Sequence, residues 1–338
     1  MGLTIDLGAI AANWTALAAR APQARTGAVV KADAYGLGAP KVATALYAAG
    51  ARDFYVALAS EGQALRPVLP GDARVFVLGG HMQGDDLDGL IPVLNSPAQF
   101  FRDRAMRAGQ SFAIQLDSGM NRLGMEPDEW SSIRDEALVA GPVLIMSHLA
   151  CADEPAHSAN AAQLAAFRGM TEGVAVPRGL SATGGILLGR DYQFDMTRPG
   201  VGLYGGLPFA EARPVVRLSL PVIQTRDVAA GEFVGYGASH FANRPRRIAT
   251  VAAGYADGLH RAMSGQGTVL WAGATPAPIV GRVSMDLITA DVTDLSDVPE
   301  TLDILNTRQR IDDLAARAGT IGYEILTSLG HRYPRTYV

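Results

Sequence analysis

The sequence predicts an α/β protein with an N-terminal (β/α)8 TIM-type barrel over residues 1–215 and a smaller C-terminal mainly-β domain over 216–338. Three observations carry this expectation. Eight short apolar runs recur through the first two-thirds of the chain, and amphipathic stretches separate most of them. After about residue 216 helical periodicity gives way to strand-like segments punctuated by glycine and proline. At 338 residues the chain is long enough for two domains, each with its own core.

The apolar runs lie near residues 27–30, 54–57, 75–78, 91–94, 112–116, 143–146, 178–181 and 194–196, with helical patterns such as 97–108 and 159–170 between them. Eight strands with helical crossovers favour a closed barrel over an open sheet. Ile10, Trp14 and Leu17 keep helical spacing and predict a helix ahead of the barrel. In the second domain strands are expected at 216–228, 247–253, 268–271, 277–280 and 287–292. One helix is expected at 311–318, where Asp312 and Asp313 suit the first turn.

Composition narrows the function classes. A formal charge of −4 with no basic stripe argues against nucleic acid as a partner. No apolar run approaches the roughly 20 residues that cross a bilayer, and residues 1–12 lack the basic-then-apolar pattern of a secretory signal. A single cysteine, Cys151, excludes an internal disulfide and fits a reducing, cytoplasmic setting. It reads as a small packing residue, since nothing nearby suggests nucleophile activation. No metal cluster is expected. Of 29 basic residues only two are lysines, Lys31 and Lys41, so chemistry that needs an ε-amine has two candidates.

Lys31 follows the apolar strand 27–30 and precedes the glycine-containing turn 32–38. A lysine after a buried strand is costly unless it is paired or deprotonated, and the C-terminal mouth of a barrel is where reactive groups gather. Such a lysine can serve as a Schiff-base amine, or be a surface lysine in a loop; on these grounds alone the two readings stand level. Lys41 lies in a helical pattern and reads as solvated. Other reactive residues follow later strands: Asp117 and Arg122 after the fifth, His148 after the sixth, Thr183 with Gly184 and Gly185 after the seventh, and Arg198-Pro199-Gly200-Val201 after the eighth. Barrels often bind phosphate with the loops after strands seven and eight.

Val30-Lys31-Ala32-Asp33-Ala34-Tyr35-Gly36 resembles the cofactor-lysine motif of the alanine racemases, fold type III pyridoxal-phosphate enzymes. Further similar segments are 117–124, Ser147-His148-Leu149-Ala150, Arg198-Pro199-Gly200-Val201, Ala253-Gly254-Tyr255-Ala256-Asp257-Gly258, Gly281-Arg282-Val283-Ser284-Met285-Asp286 and 319–327. They span nearly the whole chain in the family's order. The resemblance implies an isomerase that interconverts L- and D-alanine with pyridoxal 5'-phosphate, supplying D-alanine as a peptidoglycan precursor. It also implies a head-to-tail homodimer in which Tyr255 and Met285 serve the partner's site.

By the same resemblance Lys31 and Tyr255 are the catalytic bases on opposite faces of the substrate. Tyr35, Thr183, Gly200 and Val201 would hold the phosphate, and Arg122 and Met285 would meet the substrate carboxylate. Arg198 would face the pyridine nitrogen. A guanidinium keeps its proton, which favours racemisation over decarboxylation, where related enzymes present a glutamate. A tyrosine used as a base at pH 7 costs about 4 kcal/mol. Positive charge at Arg198 and His148, which the family links to this tyrosine, is expected to lower that cost. Alternatives are a pyridoxal-phosphate decarboxylase, a racemase for a larger substrate such as serine, and a non-catalytic carrier of the cofactor. The second domain and Tyr255 argue against the carrier.

The chain departs from the family's pattern at three places. Family members often have a carbamylated lysine seven residues before the Arg122 position, and here that residue is Gln115. A bound anion such as chloride is expected to compensate Arg122. Thr183 stands where serine is usual and keeps the hydroxyl. His331 aligns with a tyrosine often found by the phosphate, and no role is assigned to it.

Overall fold

The computed structural model of the chain describes residues 2–338. It divides into two compact units, one of Ile10–Arg213 and one joining residues 2–9 to Pro214–Val338.

In the first unit seven parallel strands lie side by side in chain order: Ala28–Val29, Asp53–Val56, Arg74–Val77, Ile91–Leu94, Ala113–Gln115, Ile145–Met146 and Arg178–Gly179. The eighth, Met196–Thr197, pairs in parallel with Arg25–Thr26, the start of the interrupted first strand. Backbone bonds close the ring on both sides of it. The N–H groups of Arg25, Gly27 and Val29 donate to the carbonyls of Asp195, Thr197 and Pro199, and those of Asp195 and Arg198 donate to Arg178 and Ser181. Each strand lies within about two residues of its predicted run. Asp53–Val56 and Ile91–Leu94 are buried at every position, the mark of parallel strands covered on both faces.

The helices between strands form where the sequence supplies both an apolar face and a start signal. Pro97–Met106 begins at Ser96, whose hydroxyl accepts the Gln99 N–H at 3.3 Å, with Pro97 in the first helical position. Helix Pro127–Val139 buries Trp130, Ile133 and Ala137, and Ser158–Met170 buries Leu164 and Phe167. These meet Phe100, Phe112 and Ile114 in one core, where Phe167 packs edge-on against Phe194 at 5.1 Å. Such a pair contributes about 0.5–1.5 kcal/mol beyond its buried area. The helix announced by Ile10, Trp14 and Leu17 spans Leu7–Arg20.

The second unit is built on the 13-residue strand Val216–Val228. Its first half pairs antiparallel with both Gly2–Ile5 and Thr301–Leu305, and its second half with Arg246–Ala252. Leu287–Asp291, Val269–Ala272 and Thr275–Pro278 extend the sheet, and Arg335–Tyr337 runs parallel to Gly2–Ile5. The helix expected at 311–318 is Ile311–Ala318, begun by the Asp313 carboxylate on the Arg310 N–H at 2.8 Å and ended at left-handed Gly319. Besides short 3-10 turns, six elements of this unit lie outside the sequence expectations: Gly2–Ile5, Thr301–Leu305, Arg335–Tyr337, the paired strands Phe233–Val234 and His240–Phe241, and the helix Gly322–Ser328. The first three are short strands paired with residues distant in the chain, which local patterning does not register.

Among the described residues no helix is long and apolar enough to cross a membrane.

Candidate active site

Lys31 stands two residues beyond the first barrel strand, at the start of the following turn, and is partly buried. The backbone then does something rare for L-residues. Ala32, Asp33, Ala34 and Tyr35 all take left-handed dihedrals, with φ between 53° and 57°. Left-handed helical geometry costs about 1–2 kcal/mol per residue, so the surroundings must hold it. The Ala34 N–H returns to the Val30 carbonyl at 2.9 Å and the Gly38 N–H to Asp33 at 2.9 Å. The Asp33 carboxylate accepts the Ala39 N–H at 2.7 Å, and Glu61 accepts the Ala32 N–H at 2.8 Å. Burial lowers the pKa of the Lys31 amine below its usual value; the Arg122 charge lowers it further, and Glu61 opposes both.

Arg198 closes the floor. It is 3% exposed, and its Nη2 donates to the Ser147 carbonyl at 2.7 Å while the buried Nη1 finds no acceptor among the described residues. A buried guanidinium N–H left without an acceptor is a costly vacancy. Gly179 makes room for it, since a Cβ there would stand 3.2 Å from Nη1. Burial lowers the Arg198 pKa, but an arginine starts so high that it stays charged. His148 behaves differently. Burial, then the charges of Arg198, Arg122 and Lys31, push its pKa down to about 3. It is therefore neutral at pH 7, and the expectation that it supplies positive charge to a tyrosine does not hold.

The seventh and eighth loops meet around Thr183. Its Oγ1 accepts the N–H groups of Gly200 at 3.1 Å and Gly202 at 3.2 Å. The Gly200 amide, expected to be a phosphate donor, is thus engaged within the chain. Val201 begins the short 3-10 turn Val201–Tyr204, where an amide has no intrahelical acceptor. The Tyr35 hydroxyl comes so close to Gly200 that a Cβ there would stand 2.6 Å from it, which explains the glycine. Tyr35 also packs on Tyr204 at 4.6 Å, and the Tyr204 hydroxyl donates to the Val29 carbonyl at 2.8 Å.

Asp117 and Arg122 flank a tightly folded loop. The Asp117 carboxylate accepts the N–H groups of Gly119 and Met120 at 2.7 and 2.8 Å, so it shapes the loop rather than reacting. Gln115 donates its amide to the Leu123 carbonyl at 3.1 Å. Arg122 is exposed and takes part in no ion pair among the described residues.

The second unit presents Tyr255 and Met285 together. Tyr255 donates its N–H to the Ser284 carbonyl and Ala256 to the Met285 carbonyl, both at 3.0 Å. Tyr255 is 42% exposed and Met285 54%. Asp257, 3% exposed, accepts the Gly254 N–H at 2.9 Å and pairs with Arg332, which also reaches Asp286.

The first unit therefore brings together Lys31, Tyr35, Arg122, His148, Thr183, Arg198, Gly200 and Val201, and the second pairs Tyr255 with Met285. Three contributors escaped the sequence reading: Glu61, Tyr204 and Tyr55. Tyr55 is fully buried, stacks on Phe76 and lies 5.9 Å from the Arg198 guanidinium carbon. An apolar strand run conceals a tyrosine of this kind.

The chain matches the family profiles "Alanine racemase, N-terminal domain" over residues 5–208 and "Alanine racemase, C-terminal domain" over 215–337. It is 62% identical over 341 residues to an alanine racemase of Cereibacter sphaeroides, covering 99% of this chain and 97% of the relative. Its structure resembles the alanine racemase of Bartonella henselae with covalently bound pyridoxal phosphate, with TM-score 0.93, 36% identity and 99% of each chain covered. It also resembles the biosynthetic alanine racemase of Pseudomonas aeruginosa, with TM-score 0.93, 34% identity, and 100% and 99% covered. The chain belongs to the alanine racemase family of isomerases.

Proposed function

We propose that the chain interconverts L- and D-alanine with pyridoxal 5'-phosphate held by Lys31, and that it works as a cytoplasmic homodimer. The observation that carries this reading is the buried Arg198 Nη1, a charged donor with no acceptor among the described residues. A pyridine nitrogen is the acceptor such a donor suits, and a guanidinium satisfies it without surrendering its proton. The Lys31 amine suits the aldehyde, because its lowered pKa leaves more of it in the nucleophilic neutral form. Thr183, Tyr35 and Val201 suit the phosphate, with Gly200 shaping the cradle. The division near residue 215 then separates a cofactor-binding unit from a β unit that carries Tyr255.

When bound, the cofactor withdraws electrons from the substrate and acidifies its Cα–H. The chain's own residues manage the proton. Lys31 takes or returns it on one face, and Tyr255 of the partner subunit does so on the other. Arg198 would donate to the ring nitrogen without protonating it, which would weaken the electron sink and disfavour transamination and decarboxylation. Arg122 and Met285 of the partner subunit meet the substrate carboxylate. An anion beside Arg122, such as chloride, belongs to this reading; activity unchanged after exhaustive halide removal contradicts it.

Incubating the enzyme separately with L-alanine and L-serine, with chiral analysis and CO2 detection, tests the reading. Formation of D-alanine without CO2, faster than D-serine, is expected. CO2 release, or no change in chirality, overturns it.

A further inference from the structure

We propose that Glu61 is a positioning residue for Lys31, clamping the strained turn that follows the lysine onto the end of the second barrel strand. One carboxylate makes all the bonds. Its Oε1 accepts the Ala32 N–H at 2.8 Å, and its Oε2 accepts the N–H of Ala57 at 2.7 Å and of Leu58 at 3.3 Å. Ala32 is the first of the four left-handed residues, and none of the four is a glycine. The turn is thus held at its near end by Glu61 and at its far end by the Asp33 carboxylate on Ala39.

The position of Glu61 has an ordinary explanation too. It is the third residue of helix Ala59–Leu65, and its bond to the Leu58 N–H is that of a capping box. That bond, however, is the longest of the three. The two short ones reach outside the helix, to Ala57 and to Ala32. Of the charges that shift the Lys31 amine, Arg122 lowers its pKa and Glu61 raises it, and His148 is neutral at pH 7. The same carboxylate therefore fixes the backbone beside the amine and offsets the Arg122 charge. Glutamine cannot replace it, because an amide presents one acceptor oxygen where the carboxylate presents two.

This inference rests on the reading of Lys31 as the cofactor amine only for its functional meaning; its two readouts use the full-length chain and do not depend on turnover. The first is backbone hydrogen exchange across residues 32–38. The second is the pH midpoint for acylation of the free Lys31 amine in the full-length chain stripped of cofactor, with Lys41 as an exposed internal reference. Glu61→Gln is expected to lower protection of 32–38 by about tenfold or more, the loss of a hydrogen bond to a charged group. The Lys31 midpoint should move lower, and that of Lys41 should stay. Glu61→Asp keeps the charge but shortens the reach, so the midpoint should return toward the native value while protection of 32–38 stays reduced. Unchanged protection and midpoint in Glu61→Gln overturn the proposal. So does a loss of protection spread equally over the helix Ser158–Met170, which marks general destabilisation. Should hydride trapping place the cofactor elsewhere, the Lys31 assignment fails while the exchange result still judges the clamp.

Discussion

The Thr183 hydroxyl oxygen accepts the Gly200 N–H at 3.1 Å and so ties the seventh barrel loop to the eighth. With Gly202 also on the same oxygen, one threonine satisfies two buried amides. Thr183→Val removes the acceptor and leaves both unpaired, at about 1–3 kcal/mol each. A lower thermal midpoint and weaker binding of pyridoxal phosphate are expected, measured by calorimetry and fluorescence titration. Thr183→Ser should restore both. A valine variant with native affinity and midpoint contradicts this role.

Gly254 explains why the Tyr255 segment can lie against Met285. A Cβ at this position would stand 2.3 Å from the carbonyl oxygens of Ser284 and Met285. Gly254→Ala must push the two segments apart. Because a displacement of about 1 Å can cost roughly a hundredfold in rate, kcat should fall by roughly ten- to a hundredfold while the barrel still binds its cofactor. Native kcat in this variant would mean that the register of the two segments is unimportant.

Tyr255→Phe separates the two faces of the substrate. Acid–base groups contribute about 10²–10⁴-fold. Removing the hydroxyl should slow Cα-proton exchange for one enantiomer by an amount in that range and spare the other, read by solvent deuterium incorporation into D- and L-alanine. Equal losses for both enantiomers contradict the two-base assignment.

His148 makes a prediction about acid. Its pKa is 6.5 when free and about 3 in the folded chain, so between these values the unfolded state binds the proton and the native state does not. The stability linked to its neutral form is present above pH 6.5 and is lost as the pH falls toward 3. Denaturant midpoints from pH 7 to 4 should drop less steeply for His148→Asn than for the native chain. Parallel slopes would show that His148 does not titrate this way.

Much of this was legible in the sequence, for physical reasons that also mark the limit. The barrel strands are recognisable because covered parallel strands are continuous apolar runs separated by amphipathic helices. Lys31 and Arg198 stand in loops after barrel strands, but it is the resemblance of their segments to alanine racemase motifs that singles them out. The left-handed turn is not legible, because Ala32, Asp33, Ala34 and Tyr35 include no glycine to announce positive φ. Glu61 is hidden by its own helix start, where a glutamate needs no further explanation. The neutrality of His148 depends first on its burial and then on the charges of Arg198, Arg122 and Lys31, which only the fold assembles. The strand Gly2–Ile5 pairs with residues 216–219, a relationship that no local window contains.

The central claim is that Lys31 carries the cofactor, and a chain with two lysines permits a direct test. Borohydride reduction of the pyridoxal-phosphate-loaded enzyme makes the lysine–cofactor bond permanent, and peptide mass mapping locates it. The predicted result is a single modified peptide containing Lys31. Modification at Lys41, or no modified lysine at all, would contradict the account.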